Sequence, residues 1–270
     1  MDHFEAQHQR LRSLFGVFFA PEVTGALLPL ARPAVRLGTE GETTVTLGGP
    51  PLLPPGEPWP TWGDRPLDYL GSVDFDRLPH VADLPAKGTV AFYYASALPR
   101  PWGDQPGQRD AWRLYSGELR EVPLPPGAST FPECSLKAAP FLSLPAPKEP
   151  FLERLEGLYS GVLPVYEQLH VAWQQHIWPD DTPAHQIGGW PLLVQRPVAA
   201  DCHYASTGRD PDTAPLTHEE VSALAEEWRL ILQLDSDPRL GWDWGDPGRL
   251  YFCTRRDTPL ESAWMALQAT

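Results

Sequence analysis

The chain opens on a helical rhythm. From Leu11, apolar side chains recur at Leu14, Phe15, Phe18 and Phe19, the spacing of one α-helical face, with Phe4 further back on the same segment. This predicts a helix over residues 3–19, docked on the core by its Phe cluster and ended by Pro21; a shorter helix is expected over 21–30. The pattern then shortens. Residues 34–37, 43–47, 67–75 and 89–94 read as strands, and 112–115 with 119–122 as a hairpin turning at Gly117. Eight prolines in 123–150 mark an irregular connection. Residues 151–177 return to a helical pattern, broken or kinked at Pro164. Over 216–228, Thr217 as N-cap, Glu220 three residues on, and the Leu216–Val221 pair around them form a capping box with its staple. Strand-like runs follow at 228–234 and 250–254, joined by a loop of acids, tryptophans, glycines and prolines, and a short helix is expected over 260–267.

Two parts of the chain echo one another. LGGPPLL (47–53) matches IGGWPLL (187–193), YLGSVDF (69–75) matches ILQLDSD (231–237), and GTVAFYY (88–94) matches GRLYFCT (248–254), in the same order. The expectation is one α+β, β-rich domain over 1–270, an internally duplicated pair of mixed or antiparallel sheet halves (about 40–145 and 180–258) with peripheral helices. The helix at 217–228 is the insertion that separates the spacing of the two copies.

Composition narrows the function. The 42% hydrophobic and 21% charged content is that of a globular chain, and 33 prolines favour short strands and long loops. There is no Asn, and Lys occurs three times, so Arg carries nearly all the positive charge. Acids outnumber bases 35 to 21, a net charge of −14. That balance opposes nucleic-acid binding and suits a basic protein partner. Three scattered cysteines make no disulfide framework, no apolar run reaches membrane-spanning length, and Asp2 and Glu5 sit where a signal peptide avoids acids. The expected location is the cytoplasm, away from membranes.

The blocks GG-P through Trp59-Pro60, 69–75, 84–94, 188–195, 231–237 and 244–252 resemble the YwqG-like family of bacterial proteins, a domain of unknown function. The likeness spans roughly residues 45–255. It implies a β-rich α+β fold with internal duplication, and its association with bacterial toxin systems implies an immunity-type protein. Ser72 stands where the family's first-half strand carries Gln, and the family's aspartate-bearing tail is not evident after Ala263.

No nucleotide-binding, nucleophile-elbow or zinc-protease motif is present, and the eight His are dispersed. Asp235, Asp237, Asp243 and Asp246 cluster in one loop, but without the continuation of a calcium loop they read as turn acids, so no metal and no cofactor is expected. Asp246 is expected to accept backbone N–H bonds and fix the register of the following strand. Gln195 and Gln233 need partners if buried; either backbone or a ligand would serve, with Trp190, Trp242 and Trp244 as walls. The candidate ligand-binding set is Trp190, Gln195, Gln233, Asp235, Trp244 and Asp246, with no catalytic residue assigned. Two functions follow: a non-enzymatic module binding a basic protein partner, or a small-molecule binder or enzyme using a cleft between the halves. Oligomeric state is left open.

Overall fold

A computed structural model describes residues 3–82, 84–179 and 182–270. Helices α1 (His3–Phe18) and α2 (Pro21–Leu27) open the chain. Strands β1 (Arg32–Gly38), β2 (Thr43–Leu47), β3 (Leu52–Leu53), β4 (Thr61–Trp62), β5 (Arg65–Pro66), β6 (Asp68–Asp74), β7 (Thr89–Tyr94), β8 (Trp112–Gly117), β9 (Arg120–Glu121) and β10 (Cys134–Ser143) follow. Helices α3 (Pro150–Leu158) and α4 (Val162–Ile177) lead to β11 (His185–Ile187), α5 (Val198–Thr207), α6 (His218–Glu227), β12 (Trp228–Asp235), β13 (Gly248–Arg255) and β14 (Trp264–Ala269).

Ten strands form one antiparallel sheet in the order β14-β13-β12-β11-β1-β10-β2-β6-β7-β8. The fold is thus α+β and β-rich, but the expected pair of half-sheets is a single sheet, welded at its centre by the β1–β10 ladder from Arg32↔Ser143 to Gly38↔Lys137. The prolines of 123–150 concealed the longest strand, β10, where an irregular connection was expected. Pro140 sits where β10 has run past its β2 partner, and there Gln7 of α1 accepts from Leu142 N and donates to Pro140 O. A ring nitrogen without a hydrogen is tolerated where no strand asks for it.

The sheet curls until its two edges meet. Phe92 of β7 packs on Phe252 of β13 at 5.3 Å between centroids, and Trp112 of β8 packs on Trp264 of β14 at 5.0 Å. Trp112 Nε1 also donates to Ala263 O, and Leu267 N donates to Trp102 O, so the loop after β7 closes the seam. Gly103 makes this possible. At φ +72°, a Cβ there would lie 1.8 Å from Met265 O. The result is a near-barrel whose exposed strand edges are covered, which removes the usual template for edge-to-edge pairing.

Several local expectations change. Residues 264–269 are strand, not helix: the sheet edge supplies backbone partners that outweigh local helix propensity. β9 does not fold back on β8 but pairs with β3. The break in 151–177 is at Gly161, in the left-handed conformation before α4; Pro164 is accommodated in the first helical turn, where the amide has no intrahelical acceptor. Glu156 instead accepts from Gly161 N and Leu163 N. The capping box of Thr217 and Glu220 is present as expected. Phe4, Leu11, Phe15 and Phe19 are buried, whereas Phe18 is exposed. Trp59 donates to Leu67 O and packs edge-on to Tyr93, capping the core.

Candidate functional site

After β11, Gly188 and Gly189 both take positive φ (69° and 73°) and turn the chain into a strap, residues 188–196, without a β-strand partner. Its backbone is satisfied by side chains from successive strands. Gln186 of β11 donates to Gly188 O and Trp190 O. Gln233 of β12 accepts from Leu192 N at 2.9 Å and donates to Ala184 O at 2.7 Å. Tyr251 of β13 donates to Leu192 O at 2.6 Å. Gln268 of β14 accepts from Val194 N and Gln195 N and donates to Arg196 O and Asp201 Oδ2. The three glutamines have no exposed surface. Burying such amides is tolerable where the strap supplies partners, although Oε1 of Gln186 has none among the described residues. Gln233 therefore finds its partner in backbone. Gln186 and Gln268 belong to the same ladder. The alternation of HQI and WMALQA, each with one amide among apolar residues, is the signal that would have found them.

The acids of the β12–β13 loop are dispersed. Asp235 accepts from Ala184 N, Ser236 N and Arg249 Nε. Asp237 is buried between His185 and Arg239. Burial opposes its ionisation, but the hydrogen bonds from His185 and Arg239 outweigh it and hold the carboxyl well below the usual range. Asp243 and Asp246 are exposed. Among the described residues no group of side chains is arranged to hold a metal ion. Asp246 does not fasten the turn: its carbonyl accepts from Thr270 Oγ1, and the fastening falls to Ser236, whose hydroxyl donates to Gly245 O and accepts from Trp244 N. Trp244 is buried against Trp242 and Tyr94, under the Arg100 guanidinium.

Trp190 is likewise buried, donating to Leu30 O, with the Arg32 guanidinium 3.5 Å above its ring. Glu149 lies beside them on a cavity of about 20 Å³, room for a single water. One of its carboxylate oxygens has no protein partner. Burial pushes the Glu149 carboxyl up to about 7, against the pull of Arg32. Burial also lowers the Arg32 guanidinium to about 10, with Glu226 opposing.

A larger opening lies at the barrel seam. A cleft of about 510 Å³ runs between the Trp102–Asp104 segment of the first half and Gln195, Arg196, Tyr204 and Arg209 of the second. Trp102 is 43% exposed at its edge. Arg196 pairs with Asp201 through Nε, and Gln268 Nε2 donates to the second Asp201 oxygen. Burial raises the Asp201 carboxyl, while Arg196 and Gln268 pull it down. Of the six expected ligand residues, only Gln195 reaches this cleft. Trp190, Gln233, Asp235 and Trp244 are committed to the strap and core, and Asp246 to the surface.

His185 accepts from Asp235 N at Nδ1, so its proton lies on Nε2 facing Asp237, and neither nitrogen is available to Cys134. Burial pushes the Cys134 thiol up, away from thiolate. Among the described residues no helix is long and apolar enough to cross a membrane.

No curated protein matches the chain. A family model described as a domain of unknown function, DUF1963, matches residues 46–259, which takes in the sheet from within β2 to beyond β13, with the strap and the glutamine ladder as far as Gln233. With most of its length under that model, the chain belongs to the DUF1963 family.

Proposed function

We propose that this chain is a non-catalytic binding protein whose ligand is a small polar molecule held in the cleft between Trp102 and α5. The observation that carries this reading is Trp102. A tryptophan is a large apolar surface, usually buried or used at an interface. Here it stands half in water beside an opening of about 510 Å³. A planar or apolar part of a ligand would rest on its ring, and Arg196 and Asp104 would orient polar ends. The test is a thermal-shift panel of polar metabolites on the wild type and on Trp102→Ala. A ligand bound only by the native state raises the melting temperature. We expect a shift that Trp102→Ala abolishes; a broad panel at millimolar ligand with no Trp102-dependent shift removes the reading.

A protein partner is the second reading, favoured by the surface of α3 and α4. Leu158 and Val171 are 75% and 52% exposed there, on helices that also carry Glu153, Glu156 and Glu167. With a net charge of −14, such a surface suits a basic partner captured by electrostatic steering. This is the immunity-type role that the YwqG-like resemblance implies, exercised in the cytoplasm. Mixing with the basic product of a neighbouring gene at low salt should give a complex on size exclusion that Leu158→Glu weakens. Two species eluting separately would end this reading.

The two halves also support descent from one duplicated unit. Gly48 N donates to Leu70 O and Gly188 N to Ile231 O, and each half has a register shift at that point, between Tyr69 and Gly71 and between Leu230 and Leu232.

A further inference from the structure

Two walls of the seam cleft are fastened separately. Gly103 N donates to Gln108 Oε1 at 2.7 Å, Gly103 O accepts from Trp264 Nε1 at 2.7 Å, and Trp102 O accepts from Leu267 N at 2.9 Å. The segment that presents Trp102 and Asp104 is thus held through both peptide groups of Gly103. On the other wall, Gln268 Nε2 donates to Arg196 O and to Asp201 Oδ2, each at 2.8 Å, and Arg196 Nε is tied to Asp201 Oδ1. Gln268 has no exposed surface, so these tethers are rooted in the core. Side chains carried on backbone held in this way need little further ordering when a ligand arrives.

The charges of the lining are engaged unevenly. Arg209 is committed: Nε donates to Ala214 O, Nη1 to Glu220 Oε1 and Nη2 to Pro215 O. Asp201 is taken up by Arg196 Nε and Gln268 Nε2. The Arg196 side chain uses Nε alone, and its Nη1 and Nη2 have no partner among the described residues. Asp104 is exposed, and its carboxylate makes no hydrogen bond or ion pair among the described residues. Asp104 stands near enough to Asp201 to oppose ionisation there, behind the larger effect of burial. One open carboxylate and one open guanidinium end therefore line the same cleft of about 510 Å³ as the half-exposed Trp102 ring.

We infer that the seam cleft binds an aromatic α-amino acid as its zwitterion, with the ammonium on Asp104, the carboxylate on the Nη end of Arg196 and the ring on Trp102. This rests on the binding role proposed for the cleft and names the class of its ligand. Either charge alone is opposed. A plain anion meets Asp104 and a chain of net charge −14, and a plain amine meets Arg196. A dipolar ligand carries no net charge and satisfies both open groups at once. The planar guanidinium receives a carboxylate in a charge-assisted pair, and Trp102 gains from an aromatic ring laid offset or edge-on to it.

The experiment is calorimetric titration of the intact protein, near neutral pH, with L-phenylalanine, 2-phenylethylamine and 3-phenylpropionate, which share the ring and carry both charges, the ammonium alone and the carboxylate alone. L-phenylalanine is expected to bind saturably, and each analogue about tenfold or more weakly, the scale of one charge-assisted hydrogen bond. Asp104 is exposed, so Asp104→Asn should fold, and its melting curve without ligand checks this. That variant should weaken L-phenylalanine about tenfold while binding 3-phenylpropionate no more weakly than the wild type does. If it does not fold, the three ligands on the wild type decide the matter alone. An analogue that matches L-phenylalanine, or equal L-phenylalanine binding by folded Asp104→Asn, overturns the zwitterion; if Trp102→Ala still removes that binding, the cleft reading stands. No saturable L-phenylalanine binding also overturns it, and the thermal-shift panel then judges the cleft reading separately.

Discussion

The two halves face the same problem after their Gly-Gly turns and solve it differently. In each, a proline-containing strap leaves the sheet with its peptide groups in need of partners. In the first half the strap acquires a strand partner: Leu52 and Leu53 pair with Glu121 and Arg120, and Tyr93 adds a hydrogen bond to Leu52 O. In the second half no strand arrives, and Gln186, Gln233, Tyr251 and Gln268 do the work with side chains. The position equivalent to Gln233 across the register shift in the first half is Ser72. Where backbone pairs with backbone, the facing side chain is free to be small. Where it does not, the sheet must carry buried amides. A buried amide is therefore no sign of a ligand until its backbone partners have been sought.

The sharpest way to break this comparison is to remove one amide. Gln233→Leu strands Leu192 N and Ala184 O without their partner and should cost about 3 kcal/mol, since each buried unsatisfied group costs roughly 1–3 kcal/mol. Ser72→Ala should cost less than about 1 kcal/mol, because β3–β9 carries the first strap. Urea denaturation of both variants decides it; equal losses would mean the straps are held alike.

The second test is pH. Glu149, beside Trp190 at the root of the second strap, has its folded pKa raised by burial to about 7, above its ordinary value. From about the ordinary carboxyl range up to 7, the folded state holds a proton that the unfolded chain has released. Stability contributed by this group is present in acid and lost as pH rises through that window. The loss is at most on the order of 3 kcal/mol. Glu149→Gln should flatten the fall, gaining stability relative to wild type above pH 7. Asp237, held low by His185 and Arg239, has the opposite sign: its contribution is present above the ordinary carboxyl pKa and lost as pH falls below it. Asp237→Asn should therefore weaken the protein at neutral pH and reduce its acid sensitivity. Melting temperatures across pH 3 to 8 test both, and an unchanged profile in either variant rejects its assignment.

The smallest effect separates fastener from bystander in the β12–β13 loop. Ser236→Ala should cost about 1–2 kcal/mol, the scale of its bridging hydrogen bonds, or a few degrees in melting temperature. Asp246→Ala should stay within about 0.5 kcal/mol, as an exposed substitution without a lost partner does. A larger loss for Asp246→Ala would restore to it the role that its place before Pro247 suggested.

Much of the scaffold was legible in residue order alone. The capping box of Thr217 and Glu220, the phenylalanine face of α1 and the apolar runs of β12 and β13 follow from local chemistry, and local chemistry is what a linear pattern encodes. The β-rich α+β class followed from those runs. Two strands, β10 and β14, were read as other structure, and a third, β9, was given the wrong neighbour. β10 carries Pro140, which reads as a breaker until Gln7 arrives from α1 to meet Leu142 N and Pro140 O. β14 is Trp-Met-Ala-Leu-Gln-Ala, good helix formers that became strand because the edge of β13 offered a ladder. β9 left β8 for β3 for the same reason. The candidate site divided in the same way. Gln233 was identifiable as an amide in need of partners, but those partners came from a strap 41 residues earlier in the chain, through Leu192. The Trp102 cleft gave no linear signal, because it is made by the closing of the sheet. Hydrogen-bond demand is written at each residue; which distant segment meets it depends on how the ten strands curl.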